Sequence, residues 1–165
     1  MPTTMTEPKI DERPEQPYMG IREQVPMSSL SPNITRLFKE LNPWVDENHA
    51  AVTGPRFVRF HVIDMAGIMD IEVGVPVASP LPDDGKVRAG VLPAGRYASL
   101  VYVGNGYTGN KTLIQWVRSK GLAFDRWDDP KGDAFRSRYE SYLTDPKEEP
   151  RKTRWQVEVA IKLAE

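Results

Sequence analysis

The order of the predicted secondary-structure elements occurs twice along the chain, and this repetition is the strongest constraint on the fold. Each half contains a strand, a helix and two further strands. The first half has an extended segment at 9–25, a helix from Ser31, and strands at 56–63 and 70–77. The second half has strands at 87–92 and 96–103, a helix at 109–120, and strands at 135–143 and 154–163.

Neither unit could bury its own sheet face, so the two units must pack side by side. The sequence therefore predicts an α+β fold of two strand–helix–strand–strand (SHS2) modules in a pseudo-two-fold arrangement. Their strands would form an antiparallel sheet, and the central groove between the modules is the predicted ligand site.

Serine and proline mark where the first helix should begin and bend. Ser31 can cap its first turn, and Pro32 suits the first helical position. Pro43 predicts a kink within the apolar stripe of this helix. In the second half, the acidic segment 125–132 is predicted to be irregular.

The 165-residue length corresponds to one domain. Residues 1–8 are polar and predicted to be disordered, so the domain is expected at 9–164. The net charge of −1 argues against direct nucleic-acid binding. No apolar run reaches the length of a membrane span and no signal-peptide stretch is present, which predicts a soluble, cytoplasmic protein without membrane contact.

The chain has no cysteine and only two histidines, which excludes thiolate and multi-histidine metal centres. We therefore predict no metal site and no cofactor. The segment GNGYTG at 104–109 satisfies a G-x-G-x-x-G pattern, but Lys111 is one residue out of register for a phosphate-binding loop. It is interpreted as a glycine-rich turn. No serine lies in a nucleophile-elbow sequence, and His61 is interpreted as structural.

Glu140 lies in the middle of the predicted strand 135–143. Strand alternation places Arg136, Arg138 and Tyr142 on the same face as Glu140. Two interpretations remain open. Either an arginine neutralises Glu140 on an exposed face, or its carboxylate lies at the floor of an aromatic pocket that recruits a cation or moves a proton.

Aromatic side chains could form such a pocket. Trp44 and Trp116 fall on the two predicted helices, and Trp155 falls at the start of the last strand. Core packing is the alternative role for all three.

The motifs, taken in order, resemble the GyrI-like small-molecule-binding domain, which is also the effector-binding half of multidrug-responsive transcription activators. The resemblance covers residues 9–164. It rests on YMGIREQV, GPRFVRFHV with DIEVGVPV, VLPAGRYASLVYVGNGY, IQWVRSKGL, and RYESYLTDPKEEPRKTRWQVEVAIKL.

The resemblance implies a groove for bulky, lipophilic and often cationic compounds, in which Glu140 meets the ligand. It further implies ligand contacts from Trp116 and Trp155, and less directly from Trp44 and Phe60. Tyr102 and Tyr142 complete the predicted site. Residues 1–8 are too short for the DNA-binding module that such activators carry, so a stand-alone ligand domain is expected.

Three functions follow from this interpretation. The first is binding of a lipophilic small molecule. The second is hydrolysis of strained, cyclopropane-bearing electrophiles with Glu140 as the catalytic acid or base, as the resemblance implies for some members. The third is modulation of a protein partner such as a topoisomerase, for which the sequence offers no support of its own.

Overall fold

The computed structural model describes residues 3–165, which form two helices and eleven strands. The helices are α1 (Leu30–Glu47) and α2 (Gly106–Ser119). The strands of the first half are β1 (Thr4–Met5), β2 (Lys9–Arg13), β3 (Gln16–Pro26), β4 (Phe57–Ile63), β5 (Ile68–Pro76) and β6 (Arg88–Leu92). The second half contains β7 (Gly95–Val103), β8 (Arg126–Asp129), β9 (Gly132–Phe135), β10 (Arg138–Tyr142) and β11 (Val157–Lys162).

All the described strands belong to one sheet, and eight of them follow the order β1-β7-β11-β10-β4-β5-β3-β6. Of the other three, β2 also pairs with β7, and β8 joins the sheet through β9, which pairs with β4. Every pairing between described strands is antiparallel, which confirms the predicted α+β class with an antiparallel sheet. One unit comprises β3, α1, β4 and β5, and the other comprises β7, α2, β10 and β11. The units meet where β4 pairs with β10.

The N-terminal segment pairs with the sheet before the first unit begins. Both β1 and β2 add to the outer edge of β7, where Thr4 lies opposite Val103 and Ile10 opposite Ala98. An unpaired edge strand presents free backbone groups, and this segment satisfies them. Disorder was predicted for residues 1–8; within that range residues 4–5 form a strand, whereas residues 1–2 lie outside the described part of the chain.

The first helix begins at Leu30, two residues before the predicted first helical position at Pro32, and Ser29 is at the capping position. Ser31 is therefore inside the helix and is not its cap. Pro32 is tolerated because backbone N–H groups of the first turn have no helical partner. The helix assignment continues through Pro43.

Two apolar clusters lie on the helix-covered face of the sheet. The first packs α1 on β3, β4 and β5, and the second packs α2 on β7 and β11. A third, aromatic cluster lies on the opposite face at the junction of the units and contains Tyr18, Phe57, Tyr97 and Tyr139. Among residues 3–165, no helix is long and apolar enough to cross a membrane.

Candidate ligand-binding site

Glu140 lies at the centre of the sheet, on the face that the helices cover. In β10 it is opposite Val58 of β4 and Val159 of β11. Both valines are fully buried and belong to the apolar clusters beneath α1 and α2. The sequence thus places a carboxylate where the pattern of the two neighbouring strands calls for an apolar side chain, an arrangement found more often in functional sites than in cores.

A hydrogen bond from the Tyr102 hydroxyl to Oε1 holds the Glu140 carboxylate in place. Burial raises the pKa of Glu140 above its ordinary value, and it outweighs the opposing effects of this bond, of the Arg138 charge, of Asn110 and of Lys152. Burial, with the Glu140 charge, also raises the pKa of the Tyr102 hydroxyl. An entering positive charge would therefore favour the ionised form of Glu140 and offset part of the cost of its burial.

The surroundings of Glu140 are aromatic. The ring of Tyr142, two residues along β10, packs edge-to-face against Phe38 of α1 with 6.0 Å between centroids. It also packs against Trp155, at 5.7 Å. Burial raises the pKa of Tyr142, and the Glu140 charge adds to this effect. These rings connect α1 to the segment before β11 across the Glu140 face of the sheet.

The glycine-rich segment brings α2 close to Tyr102. Helix α2 begins at Gly106, earlier than the predicted start at 109, and Asn105 caps it by accepting from the Thr108 N–H at 3.2 Å. A Cβ atom on Gly109 would lie 2.7 Å from the Tyr102 ring. The motif therefore lets the helix pack against the tyrosine that bonds Glu140.

The two arginines predicted to share the face of Glu140 behave differently. Arg138 does share it, but its Nη2 donates to Asn110 Oδ1 at 2.8 Å and its guanidinium lies over the Phe135 ring. The described side chains of Arg138 and Glu140 do not form an ion pair with each other. The prediction for Arg136 is wrong, because the chain bends between β9 and β10 and the strand alternation is lost. Arg136 instead stacks on Trp127, at 4.9 Å.

Four other aromatic residues were predicted to contact a ligand, and the structure places them in three different environments. Trp155 precedes β11 rather than starting it, and its indole N–H donates to the Glu149 carbonyl at 2.6 Å. Trp116 is partly buried on α2, beneath the Lys120 ammonium. Trp44 and Phe60, which are 9% and 8% exposed, belong to the core of the first unit. Their ligand contacts stay predictions.

Sequence reasoning missed a polar cluster on the opposite face of the sheet. Glu72 Oε1 accepts from the Tyr18 hydroxyl at 2.5 Å and lies 2.8 Å from His61 Nε2. Burial opposes ionisation of Glu72, but the bonds from His61 and Tyr18 and the Arg59 charge lower its pKa overall. His61 thus has a carboxylate partner, and strict alternation of β5 was the signal that put Glu72 on this face.

Comparisons with known proteins agree on the fold. The family model described as GyrI-like small molecule binding domain matches residues 6–164. The structure resembles EcmrR in its DNA complex, with a TM-score of 0.74 and 19% identity over 96% of this chain. The chain spans 57% of that EcmrR chain and 98% of the separate EcmrR C-terminal domain, to which it is 20% identical with a TM-score of 0.67.

Two further solved structures share the fold at lower identity. A hydrolase from Listeria innocua has a TM-score of 0.64 and 12% identity over 96% of this chain and 92% of its own. SAV2435 bound to tetraphenylphosphonium has a TM-score of 0.59 and 10% identity over 96% of this chain and 94% of its own. The sequence matches none of the curated proteins with which it was compared.

Proposed function

The chain belongs to the GyrI-like small-molecule-binding domain family, and we propose that it binds bulky lipophilic aromatic compounds, with a preference for cations, at Glu140. The observation that carries the proposal is the burial of the Glu140 carboxylate on the same face as the Tyr142 ring, with no direct ion pair to it among residues 3–165. A carboxylate in apolar surroundings is costly when ionised, and the nearby Arg138 charge offsets that cost only in part, so an incoming cation adds further attraction.

The aromatic rings would supply the remaining affinity. Tyr142 lies two residues from Glu140 on the same face of β10 and packs against Trp155, and aromatic faces attract organic cations. The SAV2435 structure, whose fold is similar, was solved with tetraphenylphosphonium, a cation of this class. Charge at Glu140 and stacking on the rings together favour a large, hydrophobic, positively charged ligand over a neutral or anionic one.

Two ions of the same shape and opposite charge test this function. We expect tetraphenylphosphonium to quench the tryptophan fluorescence saturably, and the Glu140→Gln variant to bind it about tenfold more weakly, a loss of about 1.4 kcal/mol. Binding of tetraphenylborate should be unchanged or tighter in that variant, because only the charge of the site has changed. Isothermal titration at constant pH and salt would provide both dissociation constants.

The matched control is Glu47→Gln, which removes the same charge from an exposed position near the end of α1. This variant should bind both ions as the parent protein does. If Glu140→Gln weakened the binding of both ions equally, the substitution would have disturbed the shape of the site and not only its charge. If the Glu140→Gln variant bound tetraphenylphosphonium with unchanged affinity, Glu140 would not be part of the binding site.

Hydrolysis is the second candidate, and the raised pKa of Glu140 is the observation that favours it. A carboxyl group whose pKa is raised by burial can act as a general acid and protonate a carbon leaving group, and the resulting carboxylate can then accept a proton from water. In the opening of a strained cyclopropane, water oxygen bonds one ring carbon while the carbon–carbon bond breaks and the other carbon takes the proton.

Turnover distinguishes catalysis from binding. As a catalyst, the protein would convert many equivalents of a cyclopropane-bearing electrophile to its hydrated product, whereas Glu140→Gln would convert it no faster than buffer. Product formation followed by mass spectrometry measures this directly. Capture of a single equivalent, or equal rates with both proteins, would leave binding as the function.

A further inference from the structure

A cleft of about 990 Å³ lies on the sheet face opposite Glu140. Strands β3, β4, β5 and β6 form its floor and one side, and the β8–β9 hairpin forms the other. Its volume is at the upper end of the range for small-molecule sites. None of the side chains assigned above to the Glu140 site lines it.

Positive charge dominates this cleft. Three carboxylates line it, and two of them already have partners: Asp70 accepts both Arg22 Nε and Nη2, at 2.9 and 2.8 Å, and Glu72 accepts from Tyr18 and His61. The basic residues of the lining are twice as many: Arg22, Arg59, Lys86, Arg88, Lys131 and Arg136. Three of them also have carboxylate partners, since Arg22 pairs with Asp70, Lys86 with Glu40 at 2.6 Å and Arg136 with Asp125 at 3.8 Å. Among the residues that the structure describes, Arg59, Arg88 and Lys131 have no ion pair. A concave surface of one sign concentrates ligands of the opposite sign.

Arg59 lies at the floor of the cleft without a carboxylate bonded to it. Its Nη1 donates to the Tyr18 hydroxyl and the Val91 carbonyl, at 3.0 and 2.9 Å, and its Nη2 donates to the Arg136 carbonyl at 2.8 Å. Its buried Nε has no hydrogen-bond partner. Neutral oxygens thus fix the guanidinium in position, and one Nη2 hydrogen is left to donate to an anion, while the Arg59 charge also acts on Glu72 without a hydrogen bond to it.

An aromatic wall completes the cleft on the hairpin side. The Trp127 side chain is 42% exposed, which is high for tryptophan, and the Arg136 guanidinium covers part of its ring. Trp127 does not belong to any of the three apolar clusters. A large exposed indole beside a lining of mostly basic side chains is typical of a binding surface rather than of a core.

We propose that this cleft is a second ligand site, which binds an aromatic organic anion. Its carboxylate or sulfonate lies near Arg59, with Arg88 and Lys131 at the rim, and its ring packs on Trp127. The two faces of the sheet then select opposite charges, cations at Glu140 and anions at Arg59. This inference does not depend on the function proposed for Glu140.

The test uses 8-anilinonaphthalene-1-sulfonate, an aromatic sulfonate whose emission increases on binding. We expect one saturable site. The double variant Arg88→Gln/Lys131→Gln should bind the probe about five- to tenfold more weakly, because both side chains are exposed at the rim and their removal leaves the fold intact. Arg59 is left unchanged, because it also holds β4, β6 and the bend before β10 together.

The control is Lys39→Gln/Lys147→Gln, which makes the same change in net charge at exposed positions that do not line the cleft. It should alter the affinity by less than about twofold, since distant surface charges are screened. Glu140→Gln should leave the affinity unchanged.

Each contrary result overturns the proposal. Equal weakening in the two double variants would mean that only net charge attracts the probe. Tighter binding in Glu140→Gln, with no effect of the cleft substitutions, would place the anion in the Glu140 groove. The absence of saturable binding to the parent protein would show that the cleft holds no aromatic anion.

Discussion

Replacing Phe57 by alanine should lower the free energy of unfolding by about 3–5 kcal/mol, the usual cost of removing a buried phenylalanine. Phe57 is 1% exposed and lies where β4 meets β10, so it belongs to both units. Its ring packs edge-to-face on Tyr18 at 5.0 Å and on Tyr139 at 5.7 Å. The substitution leaves a cavity at the one place where the aromatic cluster joins the two halves.

A substitution at Gly74 should have opposite effects on stability depending on whether Phe57 is present. It is opposite Phe57 in β5, and a Cβ atom there would lie 2.5 Å from the phenylalanine ring. The two tyrosines prevent the ring from moving away, so Gly74→Ala should be destabilising in the parent protein. In the Phe57→Ala background the added methyl group enters the vacated space, and the same substitution should be neutral or stabilising.

Urea denaturation of the four proteins measures the coupling between the two sites. We expect an interaction energy of about 1–3 kcal/mol between Phe57 and Gly74, as for residues in direct contact. Leu143→Ala serves as the control, because this leucine is 44% exposed and its truncation should change stability by less than about 1 kcal/mol. Additive effects of the two substitutions would show that the ring moves aside without cost.

The order of the strands and helices could be predicted because periodicity and turn residues are local signals. The alternation of β5 and the helical spacing of Ile34, Leu37 and Leu41 in α1 both survive in the structure as buried faces. The pairings of the short strands could not be predicted in this way. The N-terminal residues gain order from tertiary contacts, namely the pairing with β7 and the bond that the Asn105 N–H donates to Thr3 Oγ1. The acidic segment 125–132 was predicted to be irregular, but β8 (Arg126–Asp129) pairs there with β9 in a hairpin.

The candidate site shows the same division between local and tertiary signals. Alternation along one strand was enough to put Glu140 and Arg138 on one face, but the bend at residues 136–137 breaks that alternation for Arg136. The bond between Tyr102 and Glu140 joins residues 38 positions apart and depends on the packing of α2. The clustering of Tyr18, His61 and Glu72 likewise exists only once β3, β4 and β5 are paired.

Two glutamates of the same sheet should respond to pH in opposite directions. The pKa of Glu72 is lowered in the folded protein, so the unfolded chain binds more protons and ionised Glu72 adds stability above the ordinary glutamate pKa. That contribution is lost as the pH falls through the lowered value. The pKa of Glu140 is raised in the folded protein, so its ionisation opposes folding as the pH rises above the ordinary value.

Substitution by glutamine should therefore separate these two residues at neutral pH. Glu72→Gln should destabilise the ligand-free protein by about 1–2 kcal/mol, since the charge that strengthens the bonds from Tyr18 and His61 is gone. Glu140→Gln should stabilise it by about 1 kcal/mol, because glutamine can still accept from Tyr102 without a buried charge.

Thermal and urea unfolding at a series of pH values tests the pair, with each variant serving as the control for the other. The Glu72→Gln difference should shrink as the pH falls from the ordinary glutamate pKa through the lowered value, whereas the Glu140→Gln difference should already shrink as the pH falls from the raised value towards the ordinary one. A Glu140→Gln variant that is less stable than the parent at neutral pH would mean that the Glu140 carboxylate is already compensated by its neighbours. The fold, and not a ligand, would then account for its presence at the centre of the sheet, whereas a gain in stability marks a carboxylate retained for binding.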